Sequence, residues 1–151
     1  MKKNKLIIFM PIINGGGVEK NFFIITNYLS EKYKDIKVIT LSKIPSHKLN
    51  KNVKLAVSTN KFSKLFGRRT LFLISLFFLF KETFLNRKVT ILCFQGIIYC
   101  TIFSKILGLK IIIRSNSSPS GWSKSIIKKS LYKIIYKLAD RIIVNSNDFK
   151  R

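Results

Sequence analysis

Short apolar runs alternate with longer helix-patterned segments along almost the whole chain. No other feature of the sequence narrows the fold as far. The runs are Lys5 to Met10, Ile36 to Leu41, Val53 to Val57, Val89 to Phe94, Lys110 to Arg114 and Arg141 to Val144. Runs this short and this apolar suit parallel strands with both faces buried. Between them lie Val18 to Tyr33, Thr70 to Leu85, Gly96 to Leu107 and Trp122 to Leu138. In the first of these, Val18, Phe22, Ile25 and Leu29 fall on one helical face. Gly108 has the position of a C-cap. The expectation is an α/β fold: a Rossmann-like parallel sheet with helices on both faces. No repeat or low-complexity linker interrupts the pattern, so residues 1–151 read as one domain.

Length and composition agree. A chain of 151 residues that is 47% hydrophobic can bury a core and is not disordered. Its 29 Lys and Arg against 6 Asp and Glu give a formal net charge of +23. Such a surface is either solvated or matched to a polyanion: anionic lipid, phosphorylated substrate or nucleic acid. Cys93 and Cys100 are too few for a disulfide scaffold, match no zinc spacing, and sit in apolar stretches, so they read as buried free thiols. His47 stands alone in a loop after the second strand, which supports neither a Cys–His nor a Ser–His dyad, and no metal site is expected.

Met1-Lys2-Lys3-Asn4-Lys5 has the look of a signal-peptide front. The apolar run behind it breaks at Pro11 and meets no small-residue cleavage site, which favours a first strand. The run Leu71 to Phe80 is about half of the roughly 20 residues that a spanning helix needs. No transmembrane segment is expected.

Ligands of open parallel sheets bind at the carboxyl ends of the strands, and three loops there carry unusual residues. The first is Asn14-Gly15-Gly16-Gly17-Val18-Glu19-Lys20. Its glycines allow close backbone approach, and the helix start behind them offers N–H groups to an anion. Glu19 falls in the first turn, where a carboxylate suits the helix dipole. Lys20 stands where a dinucleotide fingerprint starting at Gly15 would need glycine, and Gly-Lys-Ser/Thr is absent. The turn is thus neither a dinucleotide fingerprint nor a P-loop, and a plain strand–helix turn also fits it. The second loop, Arg114-Ser115-Asn116-Ser117-Ser118-Pro119, holds a guanidinium that can clamp a phosphate or carboxylate and an amide that can bond a sugar hydroxyl. A capping loop fits these residues as well. The third, Ala139 to Ser146, ends in Asn145-Ser146 just past an apolar strand. Such a pair faces a cleft or caps a helix.

In this order the three loops resemble the N-terminal domain of family-4 retaining glycosyltransferases of the GT-B fold. Gly15 to Lys20 is similar to that family's Gly-Gly-x-Glu-Arg/Lys turn, and Arg114-Ser115-Asn116 with Pro119 follows the fifth strand. Ala139-Asp140-Arg141-Ile142-Ile143-Val144-Asn145-Ser146 is similar to the family's Ala-Asp-x-Ile/Val-Ile/Val-x-Asn/Ser-Ser segment. The resemblance implies transfer of a sugar, hexosyltransferase-like, from a nucleotide-sugar donor to a glycan or lipid-linked acceptor such as a cell-envelope polysaccharide. It needs no cofactor beyond the nucleotide-sugar as co-substrate. It implies that Gly15, Gly16 and Gly17 lie near the donor diphosphate and that Glu19 orders the turn. Arg114, Asn116, Asn145 and Ser146 would line the acceptor side, with no catalytic residue assigned. Many relatives carry a histidine after the fifth strand. This chain has Arg114 there, which stays protonated and acts as a clamp. The family's donor-binding domain does not follow Arg151, so the expectation is a fragment, inactive alone, or one half that needs a partner.

The basic residues Lys124, Lys128, Lys129, Lys133 and Lys137 recur at helical spacings beside the apolar Ile126, Ile127, Ile134 and Leu138. They make an anionic membrane surface a candidate partner, at about 1 kcal/mol per cation near the lipid. The corresponding location is cytoplasmic, peripheral on the inner face of the membrane. The alternative reading is a basic nucleic-acid-binding or peripheral membrane-binding module without catalysis. Against nucleic acid, no helix-turn-helix, zinc-finger or RNP pattern is present, and the aromatics lie mostly in apolar segments.

Overall fold

The computed structural model describes residues 5–57, 66–84, 87–115 and 126–144. Its elements, in chain order, are β1 (Lys5–Phe9), α1 (Gly17–Ser30), β2 (Ile36–Ile39), β3 (Val53–Val57), α2 (Arg68–Thr83), β4 (Val89–Cys93), α3 (Ile97–Ile106), β5 (Lys110–Arg114), α4 (Ile126–Leu138) and β6 (Arg141–Ile143). A short 3-10 turn, Ser46–Lys48, carries His47 at the surface. The six strands form one all-parallel sheet in the order β3-β2-β1-β4-β5-β6. The chain is therefore a Rossmann-like α/β protein with helices on both faces.

Crossover handedness decides which face each helix takes in this order. Right-handed connections place a helix on one face when the chain steps one way along the sheet and on the other face when it steps back. Between β1 and β2 the chain steps outward, and α1 packs on Leu6, Ile8 and Val38 through Phe22. From β3 it returns past β1 to β4 and then moves on to β5. The helices of that return, α2 and α3, pack on the opposite face against Ile7, Phe9, Ile91 and Ile113. Strand β1 is central, so its alternate side chains fill both cores, and Leu6 to Met10 are fully enclosed.

The apolar-run pattern holds for the inner strands and fails at the edges. The edge strand β6 is exposed throughout, and β3 is at most half-buried, because each has a neighbour on one side only. Polar residues buried in α2 bond back along the helix: Ser75 Oγ donates to the Leu71 carbonyl at 2.9 Å and Thr83 Oγ1 to the Leu79 carbonyl at 2.9 Å. Helix α3 ends at Gly108, where the N–H of Leu109 donates to the Ser104 carbonyl at 2.8 Å and that of Gly108 to the Lys105 carbonyl at 3.1 Å. This double closure needs the left-handed φ of 68° found at Gly108.

Helix α4 is oriented differently from a simple reading of its apolar positions. Its one buried residue is Ile135, while Ile126, Ile127, Ile134 and Leu138 are all exposed. Tyr136 and Ala139 complete its contact with the core. No described helix is long and apolar enough to cross a membrane.

A crevice at the strand ends

In the strand order found here, the connections reverse direction between β1 and β4. The helices that follow these two strands pack on opposite faces of the sheet, and such a reversal point is the usual place for a ligand in sheets of this kind. The glycine turn leaves β1 there, and Gln95-Gly96 leaves β4 beside it.

The glycine turn is held by side chains along its approach. The N–H of Ile12 donates to Gln95 Oε1 at 3.3 Å, and that of Ile13 to Ser42 Oγ at 2.9 Å. Those of Asn14 and Gly15 both donate to the Glu19 carboxylate. Four successive backbone donors are thus gathered by three side chains, from the end of β4, the end of β2 and the first turn of α1. Gly15 and Gly16 follow at φ of 90° and 137°, values that side chains with a Cβ rarely adopt. Gly17 begins α1, and no side-chain oxygen caps the helix at Gly16. The first-turn N–H groups thus lack a side-chain cap at Gly16 and form the positive end of the helix dipole at the end of β1.

On the other side of Gln95 lies a cavity of about 410 Å³. Its lining includes Phe72, Phe94, Tyr99, Tyr132 and Tyr136 together with Gln95, Arg68 and Ser115. Phe72 and Tyr99 lie 5.8 Å apart between ring centroids, and the Arg68 guanidinium sits 5.6 Å from the Phe72 ring. Tyr136 Oη bonds Ser115 Oγ at 2.6 Å. Burial pushes the Tyr136 phenol up, with Tyr132 adding to the shift and Ser115 opposing it, so the phenol keeps its proton at neutral pH. The cavity thus combines aromatic faces with hydroxyl, amide and guanidinium groups.

The sequence-derived site residues are divided by this geometry. Gly15, Gly16, Gly17 and Glu19 lie at the end of β1, and Arg114 lies at the end of β5, two strands and about 10 Å across the sheet. Arg114 is 3% exposed and does not line the cavity; its guanidinium lies 5.5 Å from the Phe94 ring. Burial lowers its pKa from the ordinary arginine value, yet it remains a cation. Ser115, the next residue, is the one that lines the cavity. Lys124, Asn116, Asn145 and Ser146 lie outside the described residues. Lys128, Lys129, Lys133 and Lys137 are exposed on α4.

Gln95, Tyr132, Tyr136 and Ser42 carry no sequence motif, and only the sheet brings them to the crevice. The one available signal was position: Gln95-Gly96 directly follows an apolar strand, as the glycine turn does. Cys93 and Cys100 are free and buried. Burial and the neighbouring Cys100 raise the Cys93 thiol well above its ordinary value, which suits a packing role. Among the described residues no group of His, Cys, Asp or Glu is arranged to hold a metal ion.

Fold and crevice together define a class: a Rossmann-like α/β protein with a preorganised glycine turn at the reversal point of its sheet. Beyond that class, no protein-family model and no curated protein matches the chain.

Proposed function

We propose that this chain is the acceptor-side half of a GT-B glycosyltransferase related to family 4, working with a nucleotide-sugar donor and a glycan or lipid-linked acceptor. The observation that supports this most is the pairing of two unlike surfaces across Gln95. One is an uncapped helix start behind a glycine turn, suited to a diphosphate. The other is an aromatic and hydroxyl-lined cavity, suited to a sugar or another polyol with apolar faces. A sugar-transfer site needs both at once, because the donor diphosphate must leave the same sugar carbon that the acceptor hydroxyl attacks.

In this reading Gly15 to Gly17 approach the donor diphosphate, and Glu19 holds the turn ready by accepting the N–H groups of Asn14 and Gly15. The positive helix end favours charge that builds on the leaving diphosphate. Gln95 fixes the spacing of the two surfaces. Tyr136, Ser115 and Arg68 orient the acceptor. Arg114 supplies a fixed positive potential from the end of β5, and no proton transfer is assigned to it.

The test is reconstitution. The chain, joined to a donor-binding domain of the same architecture, is assayed for sugar release from nucleotide-sugars in the presence of polyprenyl-phosphate-linked acceptors. Transfer is expected from the joined protein and not from the chain by itself. Turnover by the chain alone would overturn the division of labour. A joined protein that folds, binds nucleotide-sugar and transfers nothing to any acceptor would overturn the sugar-transfer reading.

A further inference from the structure

Helices α2, α3 and α4 lie side by side on one face of the sheet, α2 against α3 and α3 against α4. Each turns a definable side away from the sheet, because residues two positions either side of a buried one stand roughly half a turn round the helix. On α2 the buried Ser75 is bracketed by Leu73 and Phe77, which are exposed, Phe77 by 60%. The stripe runs on through Phe80 and Phe84, whose rings lie 5.1 Å apart. On α3 the buried Ser104 is bracketed by Ile102 and by Ile106, the latter 77% exposed. On α4 the buried Ile135 is bracketed by Lys133 and Lys137, with Lys129 one turn earlier on the same side.

The outward side of this layer is therefore two apolar stripes beside a row of lysines. Single exposed apolar residues are common on monomers, but adjacent stripes on neighbouring helices mark an interaction surface. The acidic side chains near it are turned inward or paired: Glu82 bonds Lys5 and Lys37, and Asp140 bonds Lys105. Among the described residues no acidic group interrupts the face.

The geometry points to this helical layer as a docking face for an anionic lipid bilayer. Phenylalanine and isoleucine enter the boundary between headgroups and acyl chains while the lysines meet lipid phosphates. Charge selects the occupant. A second copy would bring another +23 against this one, whereas an anionic leaflet complements both components. The sugar-transfer reading is not needed here, since lipid binding involves neither crevice nor donor.

The experiment is sedimentation of the full chain with vesicles of phosphatidylcholine, alone or mixed with phosphatidylglycerol. Binding is expected only with the mixed vesicles, and weaker at high salt. Substituting Lys129, Lys133 and Lys137 together by Gln should weaken it on the order of a hundredfold, since each lysine near the lipid accounts for roughly fivefold. Phe77→Ser with Ile106→Ser should weaken it by roughly tenfold or more. All five positions are solvent-exposed, so circular dichroism should be unchanged. On the opposite face of the sheet, Ile24→Ser with Lys32→Gln on and beside α1 should leave binding intact. Equal binding by all variants, or equal binding to neutral vesicles, would overturn the proposal. So would a lipid-free dimer that Phe77→Ser dissociates, because the face would then join copies of the chain. Soluble heparin competing in a way that ignores Phe77 and Ile106 would reduce the surface to a plain polyanion site and overturn it too.

Discussion

Gly16 and Gly17 are neighbours in one turn, and the structure asks different things of them. Gly16 sits at φ 137° and ψ −177°, a region that only glycine occupies without strain. Gly17 is the first helical residue, has no such angle, and has open space where a Cβ would stand. Gly16→Ala is therefore expected to destabilise the fold by about 1–3 kcal/mol. Gly17→Ala should be neutral or stabilising by up to about 1 kcal/mol, through the unfolded chain. Thermal melting of the two variants side by side checks this, and equal effects would mean that the turn is not held as described. The glycine run was legible in the sequence as a run; which glycine is indispensable was not. Likewise Gln95 is 83 residues from Ile12, whose N–H it accepts, a separation that no local pattern encodes. Arg114 was legible as a cation at a strand end, but its burial under Phe94 depends on how β4 and β5 pair.

Among the elements, α2 shows how a helix is tied at its far end. Glu82, in its last turn, reaches the strand starts and accepts from Lys37 Nζ at 2.7 Å and Lys5 Nζ at 3.3 Å. Burial on its own would raise the carboxyl pKa, but the two ammonium groups outweigh it, and the net shift is downward. A folded-state pKa below the unfolded one contributes stability above the unfolded pKa, and that contribution fades as pH falls through the folded value. Melting temperatures should therefore separate wild type from Glu82→Gln at neutral pH and converge in the acid range below the usual carboxylate pKa. A constant difference down to low pH would rule out the ion cluster as its source. Helix positions were well marked in sequence by periodicity and by Gly108, whereas rotation was not. The apolar positions of α4 suggest one buried stripe, yet only Ile135 turns fully to the core. The lysine row faces outward, with Ile134 and Leu138 exposed beside it.

For the whole molecule the dominant physical fact is charge. With 29 basic against 6 acidic residues, the folded chain repels itself, and several acids are already engaged with lysines. Screening should relieve this. Raising ionic strength from about 0.01 to 0.15 M shortens the Debye length from about 30 to 8 Å, so the melting temperature should rise across that range. A melting temperature that falls with added salt would mean that attractive ion pairs outweigh the repulsion.

The sequence by itself determined the class of fold. Short β-branched runs, helical periodicity and glycine punctuation are local signals, and alternating them leaves little but a parallel sheet with helices on its faces. It also marked the glycine turn and the basic helix, because each lies within a few consecutive turns of chain. Strand order, the meeting of Gln95 with Ile12, the cavity among Phe72, Tyr99 and Tyr136, and the common outward face of three helices were decided by the tertiary structure. Each joins residues that are distant in the chain, and such contacts are set by which surfaces can be buried together, which no single segment specifies.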